Sequence, residues 1–222
     1  MSFIVKNTTF PGLLDLLAPH SCRGCGHINS ILCNRCKNNI ILDHLERPPK
    51  LKLPKSFPPT FIVSDRAGLV NVLIHDFKYN SARALATSFA EILHQILPPL
   101  PSSTIIVPLP TAQQHIHARG LDHTYLITKK LARLSGCRME RLLIRNNNTV
   151  QVGSDRKTRL TQAKSAYLVN PDIKINPTAT YLLFDDVWTT GASMKAAVKK
   201  LRQAGAKNIV VALLAVSRLE QK

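Results

Sequence analysis

Tyr181-Leu182-Leu183-Phe184-Asp185-Asp186-Val187-Trp188-Thr189-Thr190-Gly191-Ala192-Ser193 is the stretch on which the reading of this 222-residue chain turns. The run Ala179–Phe184 is apolar and predicts a buried strand. It delivers two adjacent carboxylates, Asp185 and Asp186, to its carboxyl end. A turn of small residues follows, then a helix over 192–204 closed by Gly205. Backbone N–H groups from Thr189 through Thr190, Gly191 and Ala192 to Ser193, at the start of that helix, form a cradle for an anion. The hydroxyls of Thr189, Thr190 and Ser193 add donors, and Gly191 lets the backbone approach closely. The two acids repel a phosphate but suit sugar hydroxyls, directly or through Mg²⁺. A phosphate beside a polyol describes a ribose 5-phosphate.

Working outward, the elements alternate. Thr60–Val63 predicts a short strand, 67–78 and 82–97 helices, 104–107 a strand, 121–134 a helix, 142–144 a strand and 208–216 a buried strand. Strands alternating with helices predict an α/β domain with a mostly parallel central sheet flanked by helices. Ligands of such sheets sit beyond the carboxyl ends of the strands. Residues 47–59 (RPPKLKLPKSFPP) hold five prolines and four basic residues and predict a linker. The expected division is therefore 1–46, a lead-in plus a cysteine module; 47–59, the linker; and 60–222, the α/β domain. Phe10, Leu13, Leu14, Leu16 and Leu17 give the lead-in an amphipathic helical pattern.

Cys22-x-x-Cys25 and Cys33-x-x-Cys36 lie seven residues apart. Two such pairs supply four thiolates to one tetrahedral ion, with Zn²⁺ the default. An iron–sulfur cluster uses the same ligands, while two disulfides would require an oxidising compartment. Gly26 suits the turn beneath the metal. So small a module buries little apolar surface, and ligation would supply most of its folding energy. Four ligands leave no open position, which predicts a structural role. Arg23, Arg35 and Lys37 are candidate phosphate contacts, and Cys137 reads as an ordinary, partly buried thiol. His115, His117 and His123 do not share a helix face and predict no second metal site.

Lys plus Arg is 30 against 13 Asp plus Glu, a formal net charge of +17. Residues 129–164 hold ten of those cations against Glu140 and Asp155, a net of +8. A clustered excess predicts a polyanionic partner. The candidate nucleic-acid contacts are Arg145, Arg156, Lys157, Arg159 and Lys164. Aromatic residues are 5% of the chain, so binding to single-stranded DNA would be electrostatic and sequence-tolerant rather than based on stacking. The longest aliphatic run, Ile209–Val216, is too short to span a membrane. With no secretory pattern evident, the expected location is cytoplasmic.

The strand, the acidic pair and Thr189-Thr190-Gly191 together resemble the 5-phosphoribosyl-1-pyrophosphate (PRPP) signature of type I phosphoribosyltransferases. The resemblance implies that fold, Mg²⁺ with PRPP, Asp185 and Asp186 as the catalytic pair on the ribose hydroxyls, and the Thr-Thr-Gly loop on the 5-phosphate. With the four-cysteine module in front, nearly the whole chain resembles the competence protein F family. Ile74-His75-Asp76-Phe77-Lys78-Tyr79, Val107-Pro108-Leu109-Pro110 and Arg119-Gly120-Leu121-Asp122-His123 match its other segments, as do Gln151, Arg156, Arg159 and Tyr167. By charge, Lys78, Arg119 and Arg159 are candidate pyrophosphate or phosphate partners, and the resemblance implies that the turn ending at Pro110 carries the pyrophosphate loop. It also implies a role in DNA uptake during natural transformation, with a DNA-uptake helicase or recombination proteins as partners. An active phosphoribosyltransferase of unknown acceptor and a PRPP-sensing regulator are the alternatives. Leu121, Asp122 and His123 replace the family's Phe, Asn and Gln, and Ser154 and Gln162 replace its Leu and Asn.

Overall fold

The structure, a computed structural model, describes residues 21–80, 82–145 and 167–217. Its elements are α1 (Asn34–Glu46), β1 (Thr60–Asp65), α2 (Gly68–Tyr79), α3 (Leu85–Ile96), β2 (Ile105–Pro108), α4 (Gln113–Arg119), α5 (His123–Ser135), β3 (Arg138–Met139), β4 (Leu143–Arg145), β5 (Tyr167–Val169), β6 (Thr180–Trp188), α6 (Ala192–Gln203) and β7 (Asn208–Val216). Five strands form a parallel sheet in the order β1-β7-β6-β2-β3, and β4 pairs with β5 in a separate antiparallel ribbon. The expected fold class is present: a parallel central sheet flanked by helices, with a small four-cysteine module near the N-terminus.

Successive side chains of a strand point to opposite faces, and the apolar run of β6 supplies both cores. Leu182 and Phe184 face one core, where they meet Leu73, Phe77, Phe89, Leu93, Ile127 and Leu131 of α2, α3 and α5. Tyr181 and Leu183 face the other, with Met194, Ala197, Val198 and Leu201 of α6. Both faces are closed, so the central strands read as continuous hydrophobic runs.

Several boundaries differ from the sequence expectation. β6 runs four residues past Phe184 because β7 continues its ladder, pairing Asp185 with Leu213, Val187 with Ala215 and Trp188 with Val216. The acids thus stand within the paired part of β6, two to three residues before its end. The predicted helix 121–134 begins at His123, capped by Asp122, whose carboxylate accepts the Tyr125 N–H at 3.2 Å. The short helix α4 precedes it.

The cysteine module is docked on the sheet domain. Cys22, Leu32, Cys36, Ile40 and Ile41 join the core of α2, α3 and α5. Lys37 Nζ lies 2.6 Å from Glu91 of α3, and Arg23 Nε 2.5 Å from Asp76 of α2. Two of the three module cations expected to meet phosphate are therefore engaged internally. Leu51, Leu53 and Phe57 of the proline-rich segment pack on the α6 side, so this segment passes from one face of the sheet to the other.

Candidate functional site

The parallel sheet places the carboxyl ends of β1, β2, β6 and β7 along one edge. Asp185 and Asp186 stand there at the end of the central strand. Asp185, like Asp186, is half-buried. Burial of its carboxyl and the neighbouring Asp186 charge push it up to about 8, against the Asp186 N–H that it accepts at 2.8 Å and the cations Lys78 and Arg145. Asp186 holds the ammonium of Lys78, with Nζ–Oδ2 2.6 Å and both side chains 14% exposed. Lys78 comes from the last turn of α2, at the end of the helix where its dipole favours a cation.

The Gly191 backbone has φ +67°, the left-handed region that favours glycine. A Cβ there would overlap the Trp188 ring, with Cη2 only 2.7 Å away. Trp188, to which the sequence reading gave no role, is the floor of the turn. It is 2% exposed and meets Phe57 edge-on at 5.7 Å, with Lys195 above its ring at 5.5 Å. A tryptophan between an acidic pair and Thr-Thr-Gly looks like an anomaly in sequence. Its proximity to a glycine with no Cβ was the available signal. Above this floor is a cavity of about 40 Å³ lined by Asp185, Thr189, Thr190, Gly191, Ala192 and Ser193. One water needs about 10–15 Å³ on such a measure, so the hollow suits one small polyatomic group. Helix α6 starts there, and its first N–H groups have no partner within the helix. Ala192 N–H donates to Thr190 Oγ1 at 3.4 Å. The Ser193 side chain is bonded to the hydroxyl of buried Tyr167, whose pKa burial raises.

The other candidates fall around this centre. Arg119 lies over the Tyr79 ring at 5.2 Å, one residue beyond Lys78. Pro110 lines a cleft of about 440 Å³ with Thr111, Asp122, Arg141, Arg145 and Asn170. Arg145, expected on nucleic acid, lies 5.8 Å from the Tyr167 ring and close enough to Asp185 to lower its pKa. Arg156, Lys157, Arg159 and Lys164 lie outside the described residues. His123 is 1% exposed. Its Nε2 donates to the Phe77 carbonyl at 2.9 Å, and Nδ1 has no protein partner among the described residues. Burial lowers its pKa, so the ring is neutral beside Lys78 and Arg119.

The second centre is the cysteine cluster. The four Sγ atoms of Cys22, Cys25, Cys33 and Cys36 lie within 4.8 Å of one another, with Cys25 and Cys33 3.6 Å apart. Thiolates on a tetrahedral zinc with 2.3 Å bonds stand about 3.8 Å apart, so the set fits Zn²⁺. Gly26, at φ +74°, turns the chain after Cys25. Cys33 occupies the N-cap position of α1 without a side-chain cap, and Cys36 sits in its first turn. Burial disfavours the Cys22 thiolate, but the N–H groups of Cys33 and Gly24, both 3.4 Å away, help hold its pKa at about 6. Cys36 is pushed up to about 12 by burial and by the other three sulfurs. Four thiols this close need a cation before all can ionise.

No family model matches the chain, and no curated protein matches it. Among solved structures it is similar to the glutamine phosphoribosylpyrophosphate (PRPP) amidotransferase from B. subtilis complexed with ADP and GMP, at 16% identity and a TM-score of 0.45. That likeness covers 63% of this chain and 30% of that one. It is also similar to the purine phosphoribosyltransferase from Pyrococcus horikoshii Ot3, at 16% identity and a TM-score of 0.34, over 60% of this chain and 71% of that one. A third likeness is to the adenine phosphoribosyltransferase from Leishmania tarentolae, at 11% identity and a TM-score of 0.42, over 75% and 95%. The chain thus spans under a third of the first structure's length. Among the described residues no helix is long and apolar enough to cross a membrane.

Proposed function

We propose that this chain is a zinc-containing, phosphoribosyltransferase-type protein that binds PRPP with Mg²⁺ and single-stranded DNA, and that it acts in DNA uptake. The division into 1–46, 47–59 and 60–222, the cytoplasmic location, and a DNA-uptake helicase or recombination proteins as partners belong to the same proposal. The observation that carries it is the end of β6, where two acids of unlike character stand beside a glycine turn that opens a helix.

Each residue has a distinct task in this reading. Asp185 and Asp186 take the ribose hydroxyls; burial raises the Asp185 pKa, and a bound Mg²⁺ would favour its carboxylate. The N–H groups of Gly191 to Ser193 and the Thr189 and Thr190 hydroxyls take the 5-phosphate. Lys78 and Arg119 supply positive charge for the pyrophosphate. Mg²⁺ takes oxygen ligands and keeps several waters, so Asp185 and Asp186 are the donors it would meet, and it would offset the charge of the pyrophosphate. Arg145, Arg156, Lys157, Arg159 and Lys164 would track a nucleic-acid backbone. The exposed cations Lys129, Lys130 and Arg133 of α5, with Arg138 of β3, would extend that set.

Calorimetry with Mg²⁺-PRPP tests the first half. Wild type should bind, and Asp185→Asn/Asp186→Asn should lose most of the affinity; equal binding by both refutes the site. Anisotropy of a labelled single-stranded oligonucleotide across a salt series tests the second. A steep loss with salt is expected, flattened by Arg156→Ala/Arg159→Ala, and absence of binding at low salt ends the DNA reading.

A further inference from the structure

We infer that Arg23 is a positioning residue: through Asp76 it ties the order of the four-cysteine module to the last turn of α2, where Lys78 meets Asp186. The inference rests on the proposed sugar-phosphate reading for what Lys78 does, but the physical link stands on contacts within this chain.

Arg23 lies between Cys22 and Cys25, and its own backbone is pinned. Its N–H donates to the Ile31 carbonyl at 3.1 Å, and the flanking Cys22 N–H donates to His27 at 2.8 Å. Its Nε reaches Asp76 Oδ2 at 2.5 Å. Asp76 is a carboxylate with 9% of its side chain exposed, and its second oxygen accepts the Asn80 side-chain amide at 2.7 Å. Asn80 caps the C-terminus of α2, and its backbone N–H donates to the Asp76 carbonyl at 2.9 Å. The Asp76 side chain therefore clasps the turn that contains Lys78. Among the described residues its ion-pair partners are the Arg23 guanidinium and the ring of exposed His75, whose Nδ1 is 3.9 Å away. Without Arg23 a buried carboxylate would face Asn80 with one oxygen uncompensated, and such a group seeks water by moving.

The knuckle carrying Arg23 approaches α2 closely at Gly24. A Cβ on Gly24 would come within 2.7 Å of Cys36 Sγ on one side and 2.9 Å of Leu69 Cδ2, in the first turn of α2, on the other. The Gly24 backbone thus packs closely between Cys36 and Leu69. Whatever orders Cys22 and Cys25, as a bound Zn²⁺ would, orders Arg23 against Asp76. Coupling of this kind is reciprocal: if the module favours ligand binding at β6, the ligand favours metal retention by the same factor.

The experiment uses the full chain with zinc and four variants: Arg23→Ala, Arg23→Lys, Asp76→Asn and Arg23→Ala/Asp76→Asn. The ligand-free arm is hydrogen exchange at the amides of Phe77 to Asn80. Exchange should quicken in wild type after chelation, and in zinc-loaded Arg23→Ala without chelation. Equal protection in wild type and Arg23→Ala overturns the inference, whether or not PRPP binds. The ligand arm is calorimetry with Mg²⁺-PRPP, where Arg23→Ala should bind roughly five-fold or more weakly and Arg23→Lys should recover much of the loss. PRPP should raise the chelator concentration that strips zinc from wild type, and should cease to do so in Arg23→Ala. The double variant separates positioning from stability: it removes the stranded carboxylate and should regain stability while binding stays weak. Recovery of binding together with stability reduces Arg23 to a structural contact. If wild type binds no PRPP, the proposed function fails, and the exchange arm still decides the link.

Discussion

Gly191→Ala is the substitution that probes the turn most directly. Two penalties combine. An alanine at φ +67° occupies the left-handed region, at about 1–2 kcal/mol. Its methyl would also overlap the six-membered ring of Trp188, which cannot swing aside because it is buried and braced edge-on by Phe57. Relieving such overpacking costs about 1–3 kcal/mol. The expected loss is about 2–5 kcal/mol, which for a chain of this size lowers the melting temperature by roughly 4–20 °C. Trp188 is the chain's single tryptophan, so its fluorescence reports the same event as the melt. Trp188→Leu in the Gly191→Ala background removes the overlap and leaves the backbone strain. The double variant should therefore fall short of the sum of the two single losses. A Gly191→Ala protein that melts within 1–2 °C of wild type, or strict additivity, would refute the claim that the ring and the turn are built against each other.

Other outcomes follow from the same geometry. The raised pKa of Asp185 means the folded state binds its proton more tightly than the unfolded chain does. This contribution is fully present below the usual carboxylate pKa of about 4 and is lost as pH rises through about 8. Asp185→Asn should therefore be more stable than wild type at pH 9, with the difference vanishing towards pH 4 in melts across that range. Lys78→Met should destabilise by about 1–3 kcal/mol by stranding Asp186, and Lys78→Met/Asp186→Leu should recover most of that in chemical denaturation. Metal analysis should find one zinc per chain in wild type and a large loss in Cys36→Ser, whose sulfur is buried in the cluster. Chelation should expose the module's core residues Leu32 and Ile40 to hydrogen exchange.

The parallel sheet was legible because β6 and β7 are covered on both faces, so their apolar runs carry no competing period. The acid pair, the glycine turn and the cysteine spacing were legible for a related reason: each compresses its chemistry into fewer than 16 consecutive residues. What stayed hidden depends on residues far apart in the chain. The Lys78–Asp186 pair joins positions 108 residues apart, and nothing local to Lys78 distinguishes it from a surface cation. Arg23 and Lys37 read as solvent-facing for the same reason, since their carboxylates lie on α2 and α3. Asp122 reads as a departure from a family pattern, yet its side chain caps α5 and accepts Thr124 Oγ1 at 3.0 Å. The short strand β3 and the helix α4 were missed because two and seven residues are too few to establish a period.

The order of the sheet has a consequence for synthesis. β1 and β2 appear early in the chain, yet in space β6 and β7 separate them. A nascent chain that has reached only residue 175 therefore holds two strands with no neighbour between them and a gap where the centre belongs. Its apolar edges must be kept from other chains until β6 and β7 emerge. The acids and the turn arrive within that same stretch, so the proposed binding site and the closed sheet are gained together.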